Sequence, residues 1–375
     1  MTLWEPAHWL TWTVTLPLAA GILAFLFRTA APWLSLAALL GNGLAVAGLA
    51  GQVARAGPLR YAVGGWAAPL GIDLRADGLV VLMLAMTAVV GLAVSVYAAR
   101  YFSDPQAEEE VETQRHRRAY FWPLWMLLLA GLNGLFLAAD IFHLYVTLEM
   151  LGFSAVALAA LTAGRAAVVA ATRYLLVSLA GSLCFLFGVA LLYAEQGTVD
   201  IAMLAANVKP GPVSASAFAL MAGGLLMKGS MFPLHFWLPP AHANAPAPVS
   251  ALLSALVVKA SFYILLRLWF EVFGKLNTPG AATFLGLLGA GAIVWGSWQA
   301  LQQRRLKLLV AYSTVAQLGY LLLVFPLAAG DGATSLAWSG CALFILAHAC
   351  AKTAMFLAAG NIAHAAGHDR FSLLY

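Results

Sequence analysis

The sequence predicts an all-α polytopic membrane protein with about eleven transmembrane helices. Three observations predict it. The 375 residues are 63% hydrophobic and only 9% charged, where a soluble domain carries roughly 25% charged residues. Apolar runs of about 20 residues, enough to cross the hydrocarbon core as a helix, recur along the chain. One of them, from Leu226 to Trp269, is broken by a proline cluster and carries a lysine on each side of the break, Lys228 and Lys259.

The spans follow in order. The first two lie at about 8–27 and 33–53, and a third at about 79–102 follows a Gly-rich polar loop. That loop, Tyr61 to Asp77, has the alternation and turn residues of a small surface hairpin. Spans four and five, about 120–139 and 141–163, are parted only by the Ala139-Asp140 corner. The stretch between spans three and four, SDPQAEEEVETQRHRR, reads as a solvated loop. Span six is about 173–194, the broken segment about 214–240, and span eight about 247–271. Three more follow at about 283–303, 308–328 and 335–360.

Composition excludes several functions. The net charge of +5 comes from basic residues scattered over many short loops, so no nucleic-acid partner is expected. Cys184, Cys341 and Cys350 all lie in apolar segments without ligand spacing, as small core residues do. His364 and His368 have i,i+4 spacing but no third ligand, so no metal site is expected. No phosphate loop, haem or iron–sulfur spacing, or nucleophile elbow is present, and no cofactor is expected. Met1 to Glu5 has no signal-peptide start and leads into the first span. Basic residues such as Arg28, Arg100, Arg117, Arg304 and Arg305 follow odd-numbered spans. Fewer, Arg267 among them, follow even-numbered ones. That bias places the N-terminus outside.

The chemistry rests on ionisable residues inside the spans, where a charge is expensive and marks a path or a partner. Glu149 sits in span five between apolar neighbours; a nearby lysine would stabilise its ionised form. Lys228 stands a few residues before Pro233, which removes a helix hydrogen bond; Pro239, Pro240, Pro246 and Pro248 extend the disruption. Broken backbone at membrane depth must be covered by protein or line a wet cavity, and its free helix ends act as partial charges that ion transporters use. Lys259 lies roughly 18 Å from either surface at 1.5 Å per residue, beyond the reach of a snorkelling stem. His348 and Lys352, four apart, share one helix face and suit a proton relay. His235 beside the break is a further candidate for lining the path, as are Arg173 at the start of span six and Asp140 with His143 at the start of span five. Asp140 and His143 would also suit a membrane hydrolase, but no nucleophile accompanies them, and no active-site chemistry is read from the chain.

The run KGSMFPLHFWLPPAHANAPAPVSALLSALVVKASFYILLR resembles the signature of the antiporter-like membrane subunits of respiratory complex I, Mrp cation/proton antiporters and energy-converting hydrogenases. DIFHLYVTLEMLGFSA, RRLKLLVAYSTVAQLGYLLL and LFILAHACAKTAMFLAAGNI are similar to that family's fifth, tenth and eleventh helices, and the first leans toward the Mrp-like group. The resemblance covers the chain from about Asp77 onward and implies an inverted-repeat fold of five-helix units with a discontinuous helix seven. Three parts are expected: 1–119 with the first three helices and peripheral loops, 120–271 as a complete first repeat, and 281–375 as a partial second repeat cut short after helix eleven. It implies that Glu149 and Lys228 form a charge-coupled pair, that Lys259 is the central relay, and that His348 and Lys352 continue the path. Protons, or Na+ in exchange for them, would be the cargo. Other membrane subunits in the lipid bilayer of the inner (cytoplasmic) membrane would be the partners. The alternative is a non-conducting scaffold subunit of the same kind of complex.

Overall fold

In the computed structural model, residues 6–103, 111–162, 164–329 and 334–370 are described. Met1 to Glu5, read above as the lead into span one, lie outside these residues. Helices α1 (Pro6–Leu26) and α2 (Ala31–Ala56) are followed by strands β1 (Leu59–Ala62) and β2 (Asp73–Ala76). Then come α3 (Gly78–Tyr101), α4 (Val111–Leu137), α5 (Ile141–Ala159) and α6 (Arg165–Gln196). The short α7 (Ile201–Asn207) precedes α8 (Pro212–Lys228) and α9 (Leu238–Asn244). The next crossing is α10 (Ala247–Leu252) and α11 (Val258–Arg267), and α12 (Pro279–Leu301), α13 (Leu306–Leu322), α14 (Val324–Ala328) and α15 (Thr334–Ala366) complete the chain. Among the described residues, ten helices are long and apolar enough to cross a membrane, and the shorter apolar Pro212–Lys228 begins the broken one. We call the end of the bundle where α1 starts face A and the other face B.

Local chemistry fixes where the helices start. At face A, Asp77, Asp140, Asp200 and Thr278 are N-caps. Their side chains accept from the amides of Val80, His143, Met203 and Ala281 at 3.0, 2.6, 3.0 and 3.1 Å. Each satisfies a donor that a helix start leaves open. Glycine ends α6: Gly197 takes a left-handed φ of 67°.

The hairpin forms with Leu59 opposite Ala76, but it is not a free surface feature. Asp73, Leu74 and Ala76 are buried, and Leu74 bridges Ala138. The charged stretch between α3 and α4 is a loop only in part. From Val111 on it is already the first turns of α4, while 104–110 lie outside the described residues. Helix α6 starts at Arg165, two turns before Arg173, because the run after Gly164 is good helix former. The tenth span is split, α13 giving way to α14 near Pro326.

The crossing from Ala247 to Val272 is buried from Ala247 to Trp269 and forms the axis of the bundle. It touches α3, α4, α5, α8 and α15. Alpha-helical geometry is interrupted in it twice, by π-helical turns at Leu253–Val257 and Leu268–Val272, on either side of the Lys259 segment. Such turns leave carbonyls without their usual partners.

Candidate ion path

The broken crossing begins with α8, held tightly to α6. A Cβ on Gly224 would stand 2.2 Å from the Gly181 carbonyl oxygen, so both positions need glycine for the backbones to approach. That approach sets Ser182 beside the last residue of α8, Lys228. The Lys228 ammonium donates to Glu149 Oε1 at 2.6 Å and to the Ser182 hydroxyl, which itself donates to the same carboxylate oxygen. Lys228 is buried, as is Ser182, and the Glu149 side chain is 17% exposed. Gly152, one turn beyond Glu149, leaves room for the ammonium: a Cβ there would lie 3.6 Å from Nζ. The carbonyls at the end of α8 add partial negative charge near the cation.

The break itself is Gly229 to Trp237. Ser230 turns the chain off the helix with φ 55°, and Met231 N donates back to Leu226 O at 2.9 Å. Pro233 lies within the break after a cis peptide bond. Pro239 does not break a helix. It stands in the first turn of α9, where a missing N–H costs nothing, as Pro248 does in α10. Trp237 closes the break: its indole donates to Met227 O at 3.0 Å and its ring stacks on Tyr174 at 4.0 Å. His235 stacks on Phe232 at 5.6 Å and leaves Nδ1 unpartnered.

Lys259 is fully buried. Its ammonium turns back along its own helix to the carbonyls of Ala255 and Ser254, at 2.7 and 3.2 Å, in the first π-helical turn. Ser254 hydrogen bonds to Thr314 of α13 at 2.9 Å. Lys352, also fully buried, donates to Ser313 on the same helix at 2.5 Å. His348 lies one turn before Lys352 on α15, within electrostatic reach of both lysines, with Phe344 stacked beside it and both ring nitrogens unpartnered. Of the sequence-predicted residues, Lys228, Lys259, His348 and Lys352 lie in the buried interior and Glu149 is half-buried beside Lys228.

Others are placed elsewhere. Arg173 is exposed on α6, while its neighbour Tyr174 points inward. Asp140 and His143 stand at face A, nine and six residues before Glu149, or roughly 14 and 9 Å along the helix. Asp140 caps α5 there, and burial pushes its carboxyl above the usual carboxylate range. Sequence reasoning missed Ser182, Ser313 and His242. His242 is fully buried on α9, stacked on Phe356 at 4.7 Å, with both ring nitrogens unpartnered. Nearby Lys307 donates to Ala245 O at 2.9 Å and Arg305 to Asp369 at 3.0 Å, at face B. The AHANAP motif around His242, flanked by two proline pairs, was the signal that could have found it.

A bundle whose buried interior carries lysines, histidines and a glutamate around a broken helix defines a polytopic membrane protein with a polar axis inside its helices. Residues 138–374 match the family described as NADH:quinone oxidoreductase/Mrp antiporter, TM. The chain belongs to that family. It is 39% identical over 340 residues to NADH-quinone oxidoreductase subunit N of Desulforudis audaxviator, covering 89% of this chain and 64% of that protein. It is 31% identical over 303 residues to the D-type subunit of a Na(+)/H(+) antiporter of Alkalihalophilus pseudofirmus, covering 80% and 58% respectively. The chain thus spans about six-tenths of the length of these curated relatives. Its fold superposes with a TM-score of 0.86 on a chain of the membrane-bound sulfane sulfur reductase, an archaeal respiratory membrane complex, at 28% identity over 97% of this chain and 73% of that one. Against a chain of the Mrp complex from Dietzia sp. the TM-score is 0.85, at 26% identity, over 99% and 66%.

Proposed function

We propose that the chain is a cation-translocating subunit of a multisubunit membrane complex, carrying protons along Glu149, Lys228, Lys259, His348 and Lys352. The single observation that carries this reading is Lys259. It is a fully buried lysine with no carboxylate partner, held only by carbonyls of its own helix, with His348, whose ring nitrogens have no hydrogen-bond partner, within electrostatic reach. A purely structural ammonium in that position would cost several kcal/mol without return. A group that loads and releases a proton has a reason to be there.

Protons rather than Na+ fit the donors. Sodium prefers oxygen ligands, and the carboxylate of the path, Glu149, is already taken by Lys228 and Ser182. The pair works as a charge switch. A proton arriving on Glu149 weakens its hold on Lys228, and the freed ammonium can pass charge toward Lys259. Coupling would come from redox chemistry or cation exchange in partner subunits, as the names of the relatives suggest. The charge bias of the loops supports an N-terminus, and so face A, outside the inner membrane. Residues 120–271 would act as the first of two repeats.

Driven proton flux into vesicles holding the complete complex tests the reading. Lys259→Met abolishes flux if Lys259 is the relay. Unchanged flux in an assembled Lys259→Met complex would support the scaffold alternative instead, and flux that follows a Na+ gradient would replace the proton as cargo.

A further inference from the structure

Lys259, Tyr263, Arg267 and Glu271 stand four residues apart on the axis crossing, the first three buried and Glu271 28% exposed at its end. That spacing puts them on one face. A polar stripe therefore runs from the middle of the axis helix to face A, and a hydrated stripe of this kind would leak. It is closed instead. Lys259 turns away from it, toward Ala255. Tyr263 donates to Phe136 O at 2.8 Å and accepts from Arg267 Nε at 3.1 Å. Arg267 also donates to Asp77 at 2.6 Å and Glu271 at 2.5 Å. Arg75 binds both Glu271 oxygens at 2.7 Å and Asp77 at 3.1 Å.

Two guanidinium groups and two carboxylates cancel, and they join three elements: β2, the turn into α3, and the end of the axis helix. Aromatic rings fill the surroundings, with Phe136 edge-on to Tyr263 and Phe325 on Trp269 at 5.0 Å. Among the described residues, Arg75, Asp77, Tyr263, Arg267 and Glu271 leave no buried side-chain atom unpartnered, whereas His235, His242 and His348 each do. At the inner end of the cluster Tyr263 and Arg267 are buried and engaged, leaving water and protons little to bind, while the Arg75, Asp77 and Glu271 side chains are 21%, 20% and 28% exposed at face A.

We infer that this cluster is a seal that closes the axis toward face A beneath Lys259, with Arg267 as its positioning residue. Charge reaching Lys259 is thereby sent to α15 instead of leaking out along its own helix. The inference rests on the path proposed above.

Passive proton conductance of vesicles containing the complete complex, under an imposed pH gradient and with no driving reaction, tests it. Arg267→Met should raise conductance roughly tenfold, as expected when a charge-assisted contact is lost from a closed state. Arg267→Lys should raise it less. Adding Lys259→Met to Arg267→Met should return conductance to the parent level. No rise in an assembled Arg267→Met complex overturns the seal. A rise that survives Lys259→Met overturns it too, because the leak then bypasses the axis. If Arg267→Met does not assemble, Asp77→Asn/Arg267→Met, which leaves one guanidinium facing one carboxylate, gives the same readout. Driven flux of Lys259→Met alone separates the two ideas. If that flux is unchanged, the path fails. If it collapses while Arg267→Met stays tight, only the seal fails.

Discussion

A buried lysine announces itself in a sequence because nothing cheap explains it; a serine does not. Lys228, Lys259 and Lys352 were legible for that reason. Ser182 and Ser313 were not, since a hydroxyl in a membrane helix can satisfy itself on a carbonyl one turn back, as Ser313 does on Val310 at 2.8 Å. Yet Ser182 touches both members of the Glu149–Lys228 pair. Driven flux should be lost in Glu149→Gln and only reduced in Ser182→Ala, by roughly tenfold if the hydroxyl contributes as hydrogen bonds to charged groups do. Asp77 allows a prediction in pH. Burial pushes its carboxyl up, but Arg267, the Val80 amide and Arg75 outweigh burial and hold it down at about 2. A depressed folded-state value contributes stability above the usual carboxylate range, and that contribution is lost as pH falls toward about 2. The melting temperature should therefore drop less for Asp77→Asn relative to parent at pH ~3 than at pH 7.

At the scale of elements, the spans were readable and their interruptions were not. Length and hydropathy decide whether a helix crosses, but a π-helical turn is a matter of packing and leaves no residue signature at Leu253–Val257. The proline cluster misled in detail. Pro239 and Pro248 look like breakers and serve as helix starts, and the true break lies between Gly229 and Trp237. Arg267 was counted with the loop charges because it stands near the end of a span, although it is inside the helix and 8% exposed. The contact of α6 with α8 depends on glycine, and Gly224→Ala should cost about 1–3 kcal/mol by overpacking, outweighing the helix propensity gained. A lower melting temperature of the purified complex, with the Glu149–Lys228 pair displaced and flux reduced, checks it.

Across the whole molecule, polarity is divided between the two faces. Among the described helix starts, side-chain caps occur at face A, at Asp77, Asp140, Asp200 and Thr278. At face B, Ala30, Gly164, Pro246 and Arg305 precede helices without one, as Gly211 does at face A. Arg305, Lys307 and Arg117 lie at face B, in keeping with the cytoplasmic face B proposed above. Cysteine labelling of the intact membrane checks it: Ser103→Cys at face B should react only with permeant reagents, and Gly211→Cys at face A with impermeant ones as well.

The pairing of Asp77 with Arg267 spans 190 residues, and that of Arg75 with Glu271 spans 196. At the usual pace of synthesis, roughly ten to forty seconds pass between the two halves leaving the ribosome. Until then Arg75 has only Asp77, Asp77 has Arg75 and the Val80 amide, and Arg267 must later enter the bilayer as a charge in search of partners. The hairpin is thus a receptor made early for a helix made late. A nascent chain arrested before Arg267 should hold its first helices in the membrane with the peptide bond after Arg75 still open to trypsin, while the Leu74–Ala138 bridge already anchors the rest of the hairpin.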